Sequence, residues 1–107
     1  GLLRLAAESG EILAADGDLS DEGFAVVDPR DITLALERPQ GSAQNVLRGP
    51  VEEVEPEPPH GERVRVSVGS RPRVVAEVTR AAAERMGLRA GIEIYAVFKA
   101  TGVRLFE

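Results

Sequence analysis

Residues 63–88 read RVRVSVGSRPRVVAEVTRAAAERMGL, and this stretch decides the fold. In Arg63-Val64-Arg65-Val66-Ser67-Val68 polar and apolar residues alternate strictly. Successive side chains of a strand point to opposite faces, so the three valines are expected to face a core and the arginines to face water. Gly69-Ser70-Arg71-Pro72 turns the chain, and residues 73–78 return as a second strand. The period then changes. Thr79 stands where an N-cap belongs, residues 80–86 form a short helix, and Gly87 is placed to end it in the left-handed conformation.

Residues 46–54 precede this stretch as a long strand, and Glu55-Pro56-Glu57-Pro58-Pro59-His60-Gly61 is a loop by composition. Leu88-Arg89-Ala90-Gly91 is a tight connector, followed by strands at 92–99 and 102–106. Residues 42–107 thus predict three strands, a short helix and two more strands. The expected fold class is all-β, a small OB-like barrel with one short helix. Before it, residues 2–7 and 11–15 read as a hairpin around Ser9-Gly10. Phe24 opens a strand that Pro29 ends, and Asp31-Ile32-Thr33-Leu34-Ala35-Leu36-Glu37 alternates again. Pro39-Gln40-Gly41 marks a boundary between residues 1–38 and residues 42–107. The first unit is too small for confident independent folding, so it is expected to complete or extend the barrel.

The bulk numbers narrow the function classes. A chain of 107 residues with 43% hydrophobic residues supports one ordinary domain, and its core is mostly aliphatic because aromatics are only 4%. The formal net charge of -5 repels phosphate backbones and argues against nucleic acid as a partner. No Cys is present, so there is neither a disulfide nor a thiolate metal site. No run approaches the ~18 apolar residues of a membrane span. The chain opens on Gly1 without Met, which suggests a piece of a longer protein.

Enzyme motifs are missing: there is no GxxxxGK[ST] phosphate loop and no GxSxG elbow. The single histidine, His60, sits in a proline-rich loop and is expected to be solvated rather than catalytic. Asp16, Asp18, Asp21 and Glu22 lack the order of a calcium loop and its closing Glu, so they read as a solvated acidic turn and no metal site is expected. Glu52, Glu53, Glu55 and Glu57 read as exposed strand and loop charge.

Two stretches carry more. Gly41-Ser42-Ala43-Gln44-Asn45 is built of small and amide residues whose backbone N–H groups could line an anion nest, with the Ser42 hydroxyl as a further donor. The alternative is a plain turn with Asn45 bonded to the local backbone, and composition alone favours it. The other stretch is Lys99-Ala100-Thr101. Lys99 is the single lysine among thirteen lysine and arginine residues. It is either a strand-end charge reaching for water or a compact three-donor cation for an anion.

Taken together, Ser42 to Asn45 with Leu47 and Gly49, Val78-Thr79-Arg80, Met86-Gly87-Leu88, Ala90-Gly91, and Lys99-Ala100 with Val103 resemble the motifs of the Mop domain, the molybdate-binding member of the TOBE group. The order and spacing match from Ser42 to the C-terminus. The segment FAVVDPRDITLALERP (residues 24–39) resembles what precedes such a unit in the ATP-binding subunits of molybdate ABC importers. There the family has an Arg-Pro-Glu-Asp-like motif, and this chain has Asp28-Pro29-Arg30-Asp31.

The resemblance implies a non-catalytic accessory domain of a molybdate or tungstate importer ATPase, cut from its nucleotide-binding part. It implies an oxyanion bound at a subunit interface by Ser42, Ala43, Gln44, Asn45, Thr79, Lys99 and Ala100, with no cofactor and no metal other than that within the oxyanion. Implied partners are a second copy, most simply as a dimer, the ATPase domain of the same subunit and the permease. The implied location is the cytoplasm, against the inner membrane through the transporter. Gln44 replaces a family arginine. Two other implications stay open: a dimerisation domain with a silent site, or an accessory domain for sulfate, iron or sugar import.

Overall fold

A computed structural model describes residues 3–6, 24–41 and 44–106. The strands are β1 (Leu3–Ala6), β2 (Phe24–Val27), β3 (Thr33–Ala35), β4 (Gln44–Pro56), β5 (Arg63–Val68), β6 (Val74–Thr79), β7 (Glu93–Lys99) and β8 (Arg104–Phe106). One helix, α1 (Arg80–Met86), follows β6, and 3₁₀ turns occupy Pro29–Asp31 and Ala100–Gly102. The expected second strand of the N-terminal hairpin and the acidic turns at 16–23 lie outside the described residues.

β5 follows the alternation of its sequence. Val64, Val66 and Val68 are buried, whereas Arg63 and Arg65 are exposed. The two arginines form ion pairs of 2.8 Å with Glu77 and Glu57. Such exposed pairs contribute little to stability, so the valines hold this strand in place. The helix begins and ends where local chemistry requires. Thr79 Oγ1 accepts a 3.1 Å hydrogen bond from the Ala82 N–H. Gly87 adopts φ 65°, and the N–H groups of Gly87 and Leu88 return to the carbonyls of Glu84 and Ala83. Three alanines between these caps favour the helix and bury little, and only Ala83 reaches the core.

All-β and OB-like, the architecture is organised by the thirteen-residue strand β4. Its first half, Gln44 to Pro50, pairs antiparallel with β7, and its second half, from Val51, pairs with β5. The register shifts between Val51 and Glu53, where one strand passes from one half of the barrel to the other. The resulting sheet has the order β3-β7-β4-β5-β6. β3 and the 3₁₀ turn before it lie against β6, which curls the sheet toward closure.

The last strand leaves the five-stranded sheet. It pairs with β2 in a separate three-stranded sheet, β1-β2-β8, and β3 takes the place beside β7. The 3₁₀ turn at Ala100–Gly102 redirects the chain after Lys99, so residues 104–106 leave the plane in which β7 runs. The core shows the same sharing: Val27, Ile32 and Leu34 are buried in one cluster with Val51, Val66, Ile94, Phe98 and Val103. β3 is also shorter than the alternation of residues 31–37 suggests. Pairing stops at Ala35, and Leu36 is 52% exposed.

Gly49 is fixed by packing. A Cβ built on it would lie 2.6 Å from the backbone of Gly69 and Ser70, because β4 passes directly under the β5–β6 turn. Neither backbone can yield independently, since the Gly69 N–H donates to the Pro50 carbonyl at 2.8 Å. Gly49→Ala is expected to destabilise the domain by about 1–3 kcal/mol, the usual effect of overpacking. Urea unfolding measures it, with the midpoint lowered and the m-value unchanged.

Candidate functional site

Lys99 ends β7, and its register partner on β4 is Gln44. The pairing follows from the ladder: Asn45 sits opposite Phe98, Val46 opposite Val97, and so on to Pro50 opposite Glu93. The two segments singled out in the sequence, 55 positions apart in number, therefore end side by side. They line a groove of about 360 Å³ together with Asp31, Thr33, Val97, Phe98, Thr101 and Gly102.

Apolar and polar sides of this groove come from different elements. Phe98 is 1% exposed and belongs to the core. Lys99 is exposed and forms no ion pair among the described residues. By contrast Arg63, Arg65, Arg73 and Arg80 are each engaged by a carboxylate at 3.2 Å or closer. Gln44 is half-buried, and its Oε1 is buried without a hydrogen-bond partner. An acceptor oxygen does not serve an anion. The other half of the same amide, Nε2, carries two donors that would.

Asn45 is 4% exposed, so its side chain is part of the interior of the strand pair rather than of the groove surface. Ala100 opens the 3₁₀ turn directly after Lys99. Ser42 and Ala43 lie outside the described residues. Thr79 is elsewhere in the chain: it ends β6, on the opposite margin of the five-stranded sheet from β3, and its hydroxyl caps α1. Of the residues expected to act together, Gln44 and Lys99 line this groove, Ala100 follows Lys99 directly, and Thr79 is not among the lining residues.

Asp31 and Thr33 were not singled out in the sequence, and Thr101 only as the end of the Lys99-Ala100-Thr101 stretch. Asp31 and Thr33 come from the segment before β4, and no local pattern ties them to Lys99. Thr33 reaches the groove because it pairs with Val97 on β7. Asp31 is set by the 3₁₀ turn, whose Asp31 N–H donates to the Asp28 carbonyl at 2.8 Å. That turn is locked by its own cap. The Asp28 carboxylate accepts from the Arg30 backbone N–H at 2.9 Å and from its guanidinium at 3.1 Å and 3.3 Å. The side-chain hydrogen bond from Arg30, helped by the backbone one, lowers the Asp28 carboxyl from 3.8 to about 2. Thr101 alone had a local signal, as a hydroxyl two positions after the lysine.

Among the described residues no cluster of His, Cys, Asp or Glu could hold a metal ion. His60 is exposed in the loop between β4 and β5. No helix of the described residues is long and apolar enough to cross a membrane.

Comparison with known proteins adds three findings. The TOBE domain model matches residues 41–105. Among solved structures, a crystal form of the cytoplasmic molybdate-binding protein ModG with molybdate bound is similar, with 28% identity and a TM-score of 0.67. The alignment covers 78% of this chain and 60% of that one, so this chain spans less than two thirds of its length. No curated protein matches.

Proposed function

We propose that this chain, which belongs to the TOBE domain family, binds molybdate or tungstate through the groove around Lys99 and does no catalysis. One observation carries the reading. The β4–β7 register sets the single lysine beside Gln44, at the end of the Ser42–Asn45 segment, over one groove. A tetrahedral dianion is well served by one ammonium with several amide and hydroxyl donors, and it needs no metal. That ModG, a protein of similar fold and 28% identity, holds molybdate supports the choice of ligand.

The site is built to be completed by a second copy. Lys99 is exposed, and Thr79, whose hydroxyl caps α1, is not among the residues that line the groove. In a homodimer the anion bridges two subunits, and the other copy can supply Thr79 to the site. We read residues 42–107 as the anion-binding unit and residues 1–38 as an accessory β segment. The resemblance of residues 24–39 to importer ATPases supports a place in the ATP-binding subunit of a molybdate ABC transporter, in the cytoplasm and held at the membrane by the permease. Bound anion would favour one arrangement of the ATPase dimer and damp import, which requires different affinities for the two arrangements.

Calorimetric titration with molybdate, tungstate, sulfate and phosphate tests the binding. Heat and a raised melting temperature are expected with molybdate and tungstate and not with the other two. Silence with all four sinks the binding claim.

A second reading is a dimerisation domain whose site is silent. Gln44, neutral and with a buried unpartnered Oε1, favours it. Sedimentation separates the two: a dimer indifferent to every oxyanion supports the scaffold.

A further inference from the structure

We propose that Asp31 sets the strength and the selectivity of the groove, holding down its affinity for fully deprotonated dianions; the inference rests on the groove being the oxyanion site. Residues matched by the family model supply Gln44, Val97, Phe98, Lys99, Thr101 and Gly102. The opposite wall, Asp31 and Thr33, comes from outside that region. The determinant of selectivity therefore lies in the segment that precedes the family unit.

The position of Asp31 is firm. Its turn is closed by the Asp31 N–H to the Asp28 carbonyl and capped by the Asp28–Arg30 bonds. β3 then ties the following residues to β7. The carboxylate lies beside the second 3₁₀ turn, with Oδ2 3.9 Å from where a Cβ on Gly102 would be. It accepts no hydrogen bond and forms no ion pair among the described residues; the neighbouring Arg30 guanidinium attracts it only weakly, being bonded first to Asp28.

Two consequences follow from its chemistry. An anion entering the groove meets one ammonium and one carboxylate, so the formal charge of the lining is zero and attraction by Lys99 is partly cancelled. An ionised carboxylate is also acceptor-only. It offers nothing to molybdate or sulfate, whose oxygens are all acceptors. It can accept from an oxyanion that carries a proton, such as hydrogen phosphate. Molybdate and hydrogen phosphate have the same charge at mildly alkaline pH, so the pair separates hydrogen bonding from charge.

The test is calorimetric titration of the wild type and Asp31→Asn with molybdate and with inorganic phosphate, alongside thermal melting. Asp31→Asn is expected to tighten molybdate by about three- to fivefold, the scale of one partly exposed charge interaction. It should raise the ratio of molybdate to phosphate affinity with the melting temperature unchanged. Asp31→Ser, which keeps a short polar side chain, should move both in the same direction. If the wild type is silent and Asp31→Asn binds molybdate, the proposal holds in its strongest form. If the wild type binds and neither variant changes affinity or ratio, Asp31 has no such role and the oxyanion reading survives. If no protein binds any oxyanion, both fall.

Discussion

Lys99→Ala is expected to weaken molybdate binding by roughly ten- to a hundredfold, the loss of one charge-assisted hydrogen bond to a dianion. Lys99 supplies the positive charge of the groove, and its other polar neighbours are neutral or negative. Because the side chain is exposed and forms no ion pair among the described residues, removing it should leave stability within about 0.5 kcal/mol. Titration calorimetry reads the first quantity and thermal melting the second. Lys99→Arg keeps the charge but replaces a compact ammonium by a longer planar fork, so an intermediate loss is expected. Wild-type affinity in Lys99→Ala would remove this residue from the site. Reduced affinity with an equally reduced melting temperature would make its effect structural.

Phe98→Ala should have the largest effect on stability. Phe98 is 1% exposed and the largest fully buried side chain among the described residues, and it sits next to Lys99 on β7. Truncating a buried phenylalanine costs about 3–5 kcal/mol, a large share of the total for a domain of this size. The melting temperature is expected to fall by roughly 15–25 °C. Phe98 also backs the groove, so any molecules still folded at low temperature should bind molybdate less tightly. Phe98→Leu fills more of the space and should lie between. A drop of only a few degrees in Phe98→Ala would mean that β4 and β7 can close over the vacancy.

Sequence and structure agree best where the cause is local. α1 is bounded by Thr79 and Gly87 because one side chain caps a free N–H and one residue tolerates a positive φ. β5 is legible because its three valines and two arginines can satisfy only one strand orientation. The barrel class followed from the order of such elements. The partner of β8 was not legible, because short strands of similar composition carry no label for the strand they join. The choice between β2 and β7 depends on where the 3₁₀ turn at Ala100–Gly102 aims the chain.

The site divides in the same way. Lys99 stood out as a lone lysine, and Ser42 to Asn45 as an amide-rich turn, yet composition by itself favoured a bland reading of both. Only their likeness to a known family linked them, and the β4–β7 ladder then sets Gln44 against Lys99. Asp31 and Thr33 gave no sign of belonging to the same place. Their part is decided by β3 adding to the free side of β7, a pairing between residues far apart in the chain. Sequence alone determined what depends on neighbours within a few positions: the helix and its caps, the faces of β5, the acidic balance and the missing catalytic motifs. Tertiary structure decided which strands meet, and with them which charges share a groove. Long-range pairing is selected by the fit of the whole core, in which Val27, Ile32, Leu34 and Phe98 are buried together.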